Sequence, residues 1–287
     1  MKERSDFHAM EKGTLFIVST PIGNLQDITA RALSVLKEAD FIAAEDTRHT
    51  KKLLNHYGIS TPLKSCFEHN EQKKALEFVE RLLAGASVAL VSDAGTPGIS
   101  DPGFRLVKLA IERGVKVVAV PGPSAIIAAL SVSGFSLSSF TFLGFVSAEE
   151  AERKRLLLSL TLPEHTFIMF EAARRLKQTL SDIEEILGKD IDVVVAREMT
   201  KVYEDVLRGK VSDVIHAVKD KELKGEVTLI ARTGKRKARL SGMDEEIERL
   251  LSAGFSIKDA ARAVSVEFEV PKGAAYKEAL KVKAKLK

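Results

Sequence analysis

Short apolar runs alternate with amphipathic stretches through the first half of the chain. Runs such as TLFIVS, FIAA, SVALVS and VKVVAV stand between longer stretches with helical periodicity, such as TARALSVLKEA and ALEFVERLLA. Strands that are apolar on both faces are typical of parallel sheets covered by helices on both sides. Gly85 and Gly114 lie just past two of the predicted helices, where a glycine commonly ends a helix. The pattern predicts a parallel α/β domain over residues 13–134.

The pattern changes after Phe140. The runs TFLGFV, HTFIMFE, DVVVARE, YEDVLRG and EVTLIAR read as strands, and only one long helical stretch, RRLKQTLSDIEEIL, interrupts them. Strands that follow one another without intervening helices favour antiparallel pairing. We therefore predict a second, more antiparallel α/β domain over residues 139–234, with the turn-rich segment GFSLSS at 134–139 as the linker.

The last part of the chain, residues 235–287, has helical periodicity that is interrupted at Gly254 and Pro271. These interruptions predict three short helices, the second capped by Ser256. Short helices joined by tight turns are typical of a helix-turn-helix-like unit, although a plain helical cap on the core explains the pattern equally well. The overall fold class predicted is α/β, with two α/β domains and a basic C-terminal helical tail.

The composition narrows the class of protein. The chain has 287 residues, of which 45% are hydrophobic and 29% charged, as in ordinary globular proteins. Cys66 is the only cysteine, which excludes a disulfide framework or a thiolate zinc site within one chain, and the six histidines show no ligand-spaced pair. From this cysteine and histidine usage we expect no bound metal and a reducing, cytoplasmic location, although a catalytic magnesium held by carboxylates stays open. We expect no membrane segment, because the N-terminus is charged and no apolar run approaches about 20 residues.

Three loops follow predicted strands of the first domain. They are STPIGNL at residues 19–25, VSDAGTPGISDPG at 91–103 and VPGPSA at 120–125. The first is explained as well by a tight structural turn, and the third by a helix capped at Ser124. The second has more glycine, proline and aspartate than a turn requires. Because parallel strands end at the same sheet edge, the three loops together predict a small-molecule pocket there.

These motifs carry a family resemblance. STPIGN, AEDTRHT, SDAGTPGISDPG and VPGPSA, in this order and spacing, resemble the ribosomal RNA small-subunit methyltransferase I family within the tetrapyrrole methylases. The resemblance covers residues 13–233. Relatives that act on corrin precursors typically have Gly-Asp-Pro where this chain has Gly95-Thr96-Pro97, and the segment FVSAEEAERKR has glutamates where relatives often have a proline followed by lysines.

The resemblance implies a class III methyltransferase fold that binds S-adenosylmethionine in a cleft between two α/β domains. It implies 2'-O-methylation of a cytidine ribose in the decoding region of 16S ribosomal RNA, within an assembled 30S particle, by a homodimer. Carried onto this chain, the cofactor-binding residues would be Pro21, Gly23, Asp93, Ala94, Gly95, Thr96, Ile99, Ser100, Ser124, Ala125, Phe170, Glu171, Glu198 and Gly225.

A ribose hydroxyl is a poor nucleophile, so a positioned base is expected to help the transfer. Charged side chains near the motifs include Arg48, His49 and Glu68, and none of these groups stands out by its spacing. Surface ion pairing or helix capping explains each of them as well as catalysis does; Asp46, for example, could cap the helix TKKLLNHY. The catalytic candidates retained are Glu45, Asp46, His69 and Glu171.

The net charge of +4 is a mild indication of an anionic partner. Basic segments suited to phosphate include Arg153, Lys154, Arg155, Arg174, Arg175, Lys235, Arg236 and Lys237, together with the lysines of the tail. Two other functions stay open at this point: methylation of a tetrapyrrole or corrin precursor, and noncatalytic RNA binding in ribosome assembly. The basic segments favour RNA over the first of these alternatives.

Overall fold

The fold is described from a computed structural model, which describes residues 12–160, 164–234, 242–268 and 270–286. The chain forms two compact units. The first comprises residues up to Ala128 together with Met199–Tyr203, and the second comprises Ala129–Glu198 and residues from Glu204 onward. The boundary therefore lies earlier than the predicted linker at 134–139, and one short segment of the second half belongs to the first unit.

The first unit is a five-stranded sheet in which every strand pairing is parallel, in the order β3-β2-β4-β1-β5. Its elements are β1 (Thr14–Val18), α1 (Ala30–Glu38), β2 (Phe41–Ala44), α2 (Thr47–His56), β3 (Leu63–Ser65), α3 (Glu71–Leu83), β4 (Val88–Val91), α4 (Phe104–Glu112), β5 (Lys116–Val120) and α5 (Ala125–Ser131), which contains the unit boundary. The strand β3 is an addition to the predicted pattern.

Both faces of this sheet are buried, as the doubly apolar strands predict. Leu15 and Leu90 pack into a core with Phe78 of α3 and Leu106 of α4. On the opposite face, side chains of the same strands pack against α1 and α2. The connection after β1 runs toward one edge of the sheet and the connection after β4 runs toward the other, although β1 and β4 are neighbours. This reversal is where ligands bind in open α/β sheets.

The second unit has a mixed five-stranded sheet in the order β6-β7-β10-β8-β9. Only the pairing of β6 with β7 is parallel, which confirms the prediction of a more antiparallel domain. Its elements are β6 (Phe140–Phe145), α6 (Glu150–Leu158), β7 (Thr166–Ala172), α7 (Leu176–Leu187), β8 (Asp192–Arg197), β9 (Asp205–Lys210), α8 (Val211–Val218) and β10 (Glu226–Arg232), then α9 (Met243–Ser252), α10 (Ile257–Glu267) and α11 (Lys272–Lys285). Helices α6 and α8 are additional to the predicted pattern.

The three predicted tail helices are present as α9, α10 and α11, and Ser256 caps α10 by accepting a hydrogen bond from the Asp259 backbone. They share a core of their own around Ile247, Val264 and Ala279. Leu158 of α6 packs against this core and also against the core of the second sheet. The tail is therefore a part of the second unit that buries apolar surface against it.

Candidate functional site

The loops after β1 and β4 are joined directly at the carboxyl edge of the first sheet. The backbone of Thr20 donates to Gly95 O at 2.9 Å, and the backbone of Gly95 donates to Thr20 O at 3.0 Å. Beside this pair, the hydroxyls of Ser19 and Thr96 lie 2.8 Å apart. The two loops therefore hold each other in one conformation at the point where the strand order reverses.

The loop at residues 92–103 follows β4 and has an unusual backbone. Gly95, Gly98 and Ser100 have φ angles of 78°, 82° and 63°. Glycine adopts this left-handed region freely, whereas a serine there costs about 1 kcal/mol or more. A Cβ added at Gly98 would meet no atom within 4 Å, so the backbone there borders open space. Strain and open backbone in one loop are typical of a surface shaped for a ligand.

The loop after β5 lies against the loop after β1. A Cβ added at Gly122 would lie 3.0 Å from the Ser19 Cβ, so a larger residue would press the two loops apart. Ser124 precedes α5, and its backbone oxygen accepts from Ala128 N at 2.9 Å. Gly95 also faces Pro123, because its added Cβ would lie 4.0 Å from the Pro123 oxygen. The structure thus brings the three predicted loops of the first unit together.

Gly23 is needed for packing within the first unit. The resemblance assigns this glycine to the cofactor, and that role stays a prediction. A Cβ added at Gly23 would overlap the Lys201 side chain and lie 2.8 Å from Thr200 Oγ1. The neighbouring Asn24 N donates to Thr200 Oγ1 at 3.1 Å. Gly23 is therefore required by the close packing of Met199–Tyr203, within the first unit.

The loop after β2 adds carboxylates to the same edge. Asp46 caps α2, as predicted, and its backbone donates to Asp93 Oδ1 at 3.1 Å. Burial raises the pKa of the Glu45 carboxyl, and the charges of Asp101 and Asp93 raise it further. The edge therefore carries a concentrated negative potential, which favours a cationic ligand.

The four catalytic candidates differ in what their side chains do. Both carboxylate oxygens of Asp46 bind Arg48, and these hydrogen bonds lower the pKa of Asp46 to about 2, which makes it a weak base. His69 is exposed, with its ring edge-on to Phe67. Glu171 is buried and bound to Arg175 and Thr179. Glu45 lies at the same sheet edge as Asp46, and its pKa is raised rather than lowered.

The remaining charged side chains near the motifs are also at the surface. His49 and Glu68 are exposed, and Arg48 is held by Asp46. Nothing in their surroundings distinguishes them from ordinary solvated groups.

The expected cofactor residues of the second unit have partners within that unit. The Phe170 ring lies 5.0 Å from that of Phe142 and 5.2 Å from that of Phe145. Glu198 has a φ of 51°, and its carboxylate accepts from Glu226 N at 3.0 Å. A Cβ added at Gly225 would overlap this carboxylate. The glycine is thus needed for the approach of Glu198, whether or not a ligand also uses this surface.

The structure corrects one predicted RNA-binding residue. Arg153 is 2% exposed, and its Nε lies 2.6 Å from Asp182 Oδ2, so it is not available to an RNA phosphate. Its remaining hydrogen bonds go to the backbone oxygens of Ser147 and Ala148. The position looked like a surface arginine because its partner lies on α7, far away in the sequence.

The other basic candidates divide into paired and exposed groups. Lys154 lies between Glu150 and Glu185, and Arg175 is bound to the buried Glu171. Arg155 and Arg174 are exposed and keep the predicted role as a proposal. The predictions for Lys235, Arg236 and Lys237 lie outside the described residues.

One functional candidate was missed by sequence reasoning. The carboxylate of Glu71, on α3, is buried and accepts hydrogen bonds from the backbone at the end of the 92–103 loop. Its only signal in the sequence is an acidic residue in the first turn of a helix, which is common for helix-dipole reasons alone. Nothing along the chain indicates that this side chain reaches α4.

No group of three or more metal-binding side chains occurs within the described residues. Among the same residues, no helix is both long and apolar enough to span a bilayer.

Comparison with known proteins gives matches over most of the chain. Residues 14–215 match the family of Tetrapyrrole (Corrin/Porphyrin) Methylases. The chain is 43% identical over 274 residues to ribosomal RNA small subunit methyltransferase I of Halalkalibacterium halodurans, covering 93% of this chain and 94% of that protein. It is 46% identical over 268 residues to the protein of the same name from Vibrio cholerae, covering 92% and 93%.

Solved structures of similar fold include a cobalt precorrin-4 methyltransferase. That structure has a TM-score of 0.56 and 18% sequence identity, and the match covers 77% of this chain and 95% of that one. At this level of identity the likeness concerns the fold alone, and it confirms the predicted fold class.

Proposed function

The chain belongs to the ribosomal RNA small subunit methyltransferase I group of the tetrapyrrole methylase family, and from this membership we propose that it methylates the 2'-oxygen of a cytidine ribose in 16S ribosomal RNA. S-adenosylmethionine is the methyl donor of the family. The finer elements of the proposal are the nucleotide, its position in the decoding region, the assembled 30S particle as substrate and a homodimer as the active form.

The observation that carries the cofactor part of the proposal is the carboxyl edge of the first sheet. Four loops meet there, joined by the Thr20–Gly95 backbone pair and by the hydrogen bond from Asp46 to Asp93. Three of these loops present backbone and small side chains, which suit close approach to a ligand. The fourth brings Glu45 to the same edge, where burial raises its pKa and the charges of Asp101 and Asp93 raise it further.

The chemistry of these groups fits S-adenosylmethionine. When bound, the cofactor supplies a sulfonium-activated methyl group and carries an ammonium group as well. A negative field at the edge stabilises a ligand with such positive groups, and backbone donors and acceptors in the 92–103 loop suit its polar parts. The residues of this chain that would hold it are Gly95, Thr96, Ile99 and Ser100 from that loop, with Ser124 and Ala125 from the start of α5.

We assign to Glu45 the role of accepting the proton of the ribose hydroxyl. A carboxylate whose pKa is raised is a stronger base than one with an ordinary pKa. Asp46 holds Arg48 and the start of α2, while Asp93 fixes the backbone of Asp46. The carboxylate at Glu45 is thus held on a short, well-ordered turn, which favours orientation of the reacting oxygen.

The relatives' name supplies the RNA class of substrate, and exposed basic groups of the second unit support it. Arg155, Arg174 and the lysines of α11 are suited to phosphate contacts, which give affinity without reading sequence. The Gly95-Thr96-Pro97 sequence, where corrin-directed relatives have Gly-Asp-Pro, favours RNA over a tetrapyrrole.

The test is methyl transfer from isotopically labelled S-adenosylmethionine to small ribosomal subunits, to free 16S RNA and to a corrin precursor in parallel. We expect label in the 30S sample, recovered as 2'-O-methylcytidine after nuclease digestion. The labelled linkage should resist alkali, because alkaline cleavage of RNA needs a free 2'-oxygen. Label on a base, or on the corrin precursor instead of RNA, would contradict the proposal. Binding of RNA without any transfer would favour a noncatalytic assembly protein.

A further inference from the structure

Glu71 is a buried carboxylate that connects α3 to the start of α4. The residue is 5% exposed. Its Oε1 accepts hydrogen bonds from Arg105 N at 2.7 Å, from Gly103 N at 3.0 Å and from Leu106 N at 3.3 Å. These are among the first backbone donors of α4, which have no partner inside their own helix. The residue at the cap position of α4 is Gly103, which has no side chain to bind them.

The place of these hydrogen bonds matters because they fix the exit of the 92–103 loop. The entrance is fixed at Gly95 by the backbone pair with Thr20. At the exit, Gly103 has a φ of 130°, and a Cβ added there would lie 2.9 Å from Leu90 Cδ2. The chain is therefore pressed against β4 and anchored by Glu71 at the same point. Between the two anchors lie Gly98 and Ser100, both with positive φ.

A strained segment keeps its conformation only where its surroundings determine it. The Glu71 carboxylate supplies such a determinant, because it accepts three backbone hydrogen bonds at the exit of this loop. We propose that Glu71 is a positioning residue, which holds the 92–103 loop in the shape that binds S-adenosylmethionine without touching the cofactor itself. This inference rests on the proposed function, because that function assigns the loop to the cofactor.

The hydrogen-bond pattern separates the effects of three substitutions. All three backbone donors use the same oxygen, Oε1, so Glu71→Gln keeps an acceptor of the same reach. Glu71→Asp shortens the side chain by one methylene and withdraws the acceptor, and Glu71→Ala removes it. Losing hydrogen bonds to a charged, buried acceptor lowers the population of the ordered loop. We expect cofactor affinity to fall about tenfold or more in the Ala and Asp variants and much less in the Gln variant.

Asp40, an exposed residue just before β2, provides a control in the same unit. Its Oδ2 accepts from Ser87 N at 2.7 Å, just before β4 begins, at the sheet edge opposite to the candidate site. Asp40→Ala therefore removes a carboxylate that binds backbone of the same unit, far from the cofactor loops. It is expected to lower the melting temperature while leaving cofactor affinity within about twofold of the original.

The experiment measures S-adenosylmethionine binding by calorimetry, thermal melting, and the KM values for cofactor and RNA, using the full chain and the four variants. Support would be a raised cofactor Kd and KM in Glu71→Ala and Glu71→Asp, recovery in Glu71→Gln, and an unchanged RNA KM. Equal cofactor affinity in all variants would overturn the inference. It would also be overturned if Asp40→Ala and Glu71→Ala lost cofactor affinity in the same proportion to their drop in melting temperature. If the unsubstituted chain did not bind S-adenosylmethionine, the proposed function itself would be contradicted.

Discussion

The two sheets of this protein use charged side chains in opposite ways. In the second unit, buried charges are neutralised by partners: Arg153 binds Asp182, and Glu171 binds Arg175, each at 2.6 Å. At the carboxyl edge of the first sheet, acidic groups gather, and burial raises the Glu45 pKa together with the charges of Asp101 and Asp93. The buried ion pairs stabilise the second unit. The acidic groups of the first unit create a negative potential at the sheet edge, which favours a cationic ligand.

The largest expected effect is on the Arg153–Asp182 pair. Both side chains are almost fully buried. Asp182→Ala leaves the guanidinium without its anionic partner, which costs about 3–5 kcal/mol of unfolding free energy in buried pairs. Urea denaturation, followed by a signal from the second unit, measures this loss.

The control replaces both partners by apolar residues, as Arg153→Met with Asp182→Leu. We expect that pair of substitutions to recover most of the loss, because no uncompensated charge is left buried. If the single Asp182→Ala variant were as stable as the original chain, the view that this pair supports the second unit would be wrong.

A smaller effect on stability, but a specific one on binding, is expected at Gly98. Gly98 and Gly85 have φ angles of 82° and 96°, and an added Cβ would meet nothing within 4 Å at either position. Each substitution by alanine should therefore cost about 1–2 kcal/mol in backbone strain. Calorimetry should show weakened S-adenosylmethionine binding for Gly98→Ala but not for Gly85→Ala. An equal loss of affinity in Gly85→Ala would contradict the assignment of the 92–103 loop to the cofactor site.

Much of the fold could be predicted because its signals are local. Runs of buried apolar residues marked the strands of the first sheet, and the caps at Asp46 and Ser256 follow from residue type beside a helical pattern. The strand β3 was missed because LKS is short and none of its residues is fully buried. The helix α6 was missed because in EAERKRLLL the charged residues come first and the leucines are consecutive, so the segment has no apolar stripe at helical spacing.

The site could be predicted only as far as its backbone. Glycine-rich loops after parallel strands are visible in a sequence, and these loops do come together at one edge. The side-chain pairs could not be predicted, because the partners are far apart in the sequence: Asp182 lies 29 residues from Arg153, and Gly103 lies 32 residues from Glu71. Nothing along the chain distinguishes such side chains from surface groups. For the same reason, the packing of Gly23 against Thr200 cannot be predicted from the sequence.

A third prediction uses pH to test the acidic edge. The Glu45 pKa is raised above its ordinary value of 4.5, so the folded state disfavours the charged form. Wild-type stability should therefore fall as the pH rises through this pKa, and Glu45→Gln should lack that fall. We expect the variant to melt slightly higher at neutral pH, and the difference should disappear as the pH is lowered below about 4.5.

The same variant should lose methyl transfer, since its amide cannot accept the ribose proton. Melting curves at pH 4 and pH 7.5 and a transfer assay at pH 7.5 measure both effects. A variant that is less stable at neutral pH, or that keeps full activity, would contradict the assigned role.

The smallest effect is expected at the exposed lysines of α11. Replacing Lys272 and Lys283 by glutamine should leave the melting temperature almost unchanged. If both contact phosphate, the slope of log RNA affinity against log salt should become shallower by about 0.7–0.9 per contact. The control replaces Lys73 and Lys116, which are exposed on the first unit, with the same loss of charge. Equal slopes in the two double variants would mean that only net charge matters.

The segment Met199–Tyr203 determines when the first unit can complete its contacts during translation. The backbone of Asn24 is bound by Thr200, which lies 176 residues later in the chain. During translation, the strands of the first sheet are all made before residue 128, yet the segment that packs against Gly23 follows only after β8 has been synthesised. The first unit therefore completes its structure after its own strands have been made, and a nascent chain that stops at residue 128 lacks the contacts of Thr200 and Lys201 with the turn at Gly23.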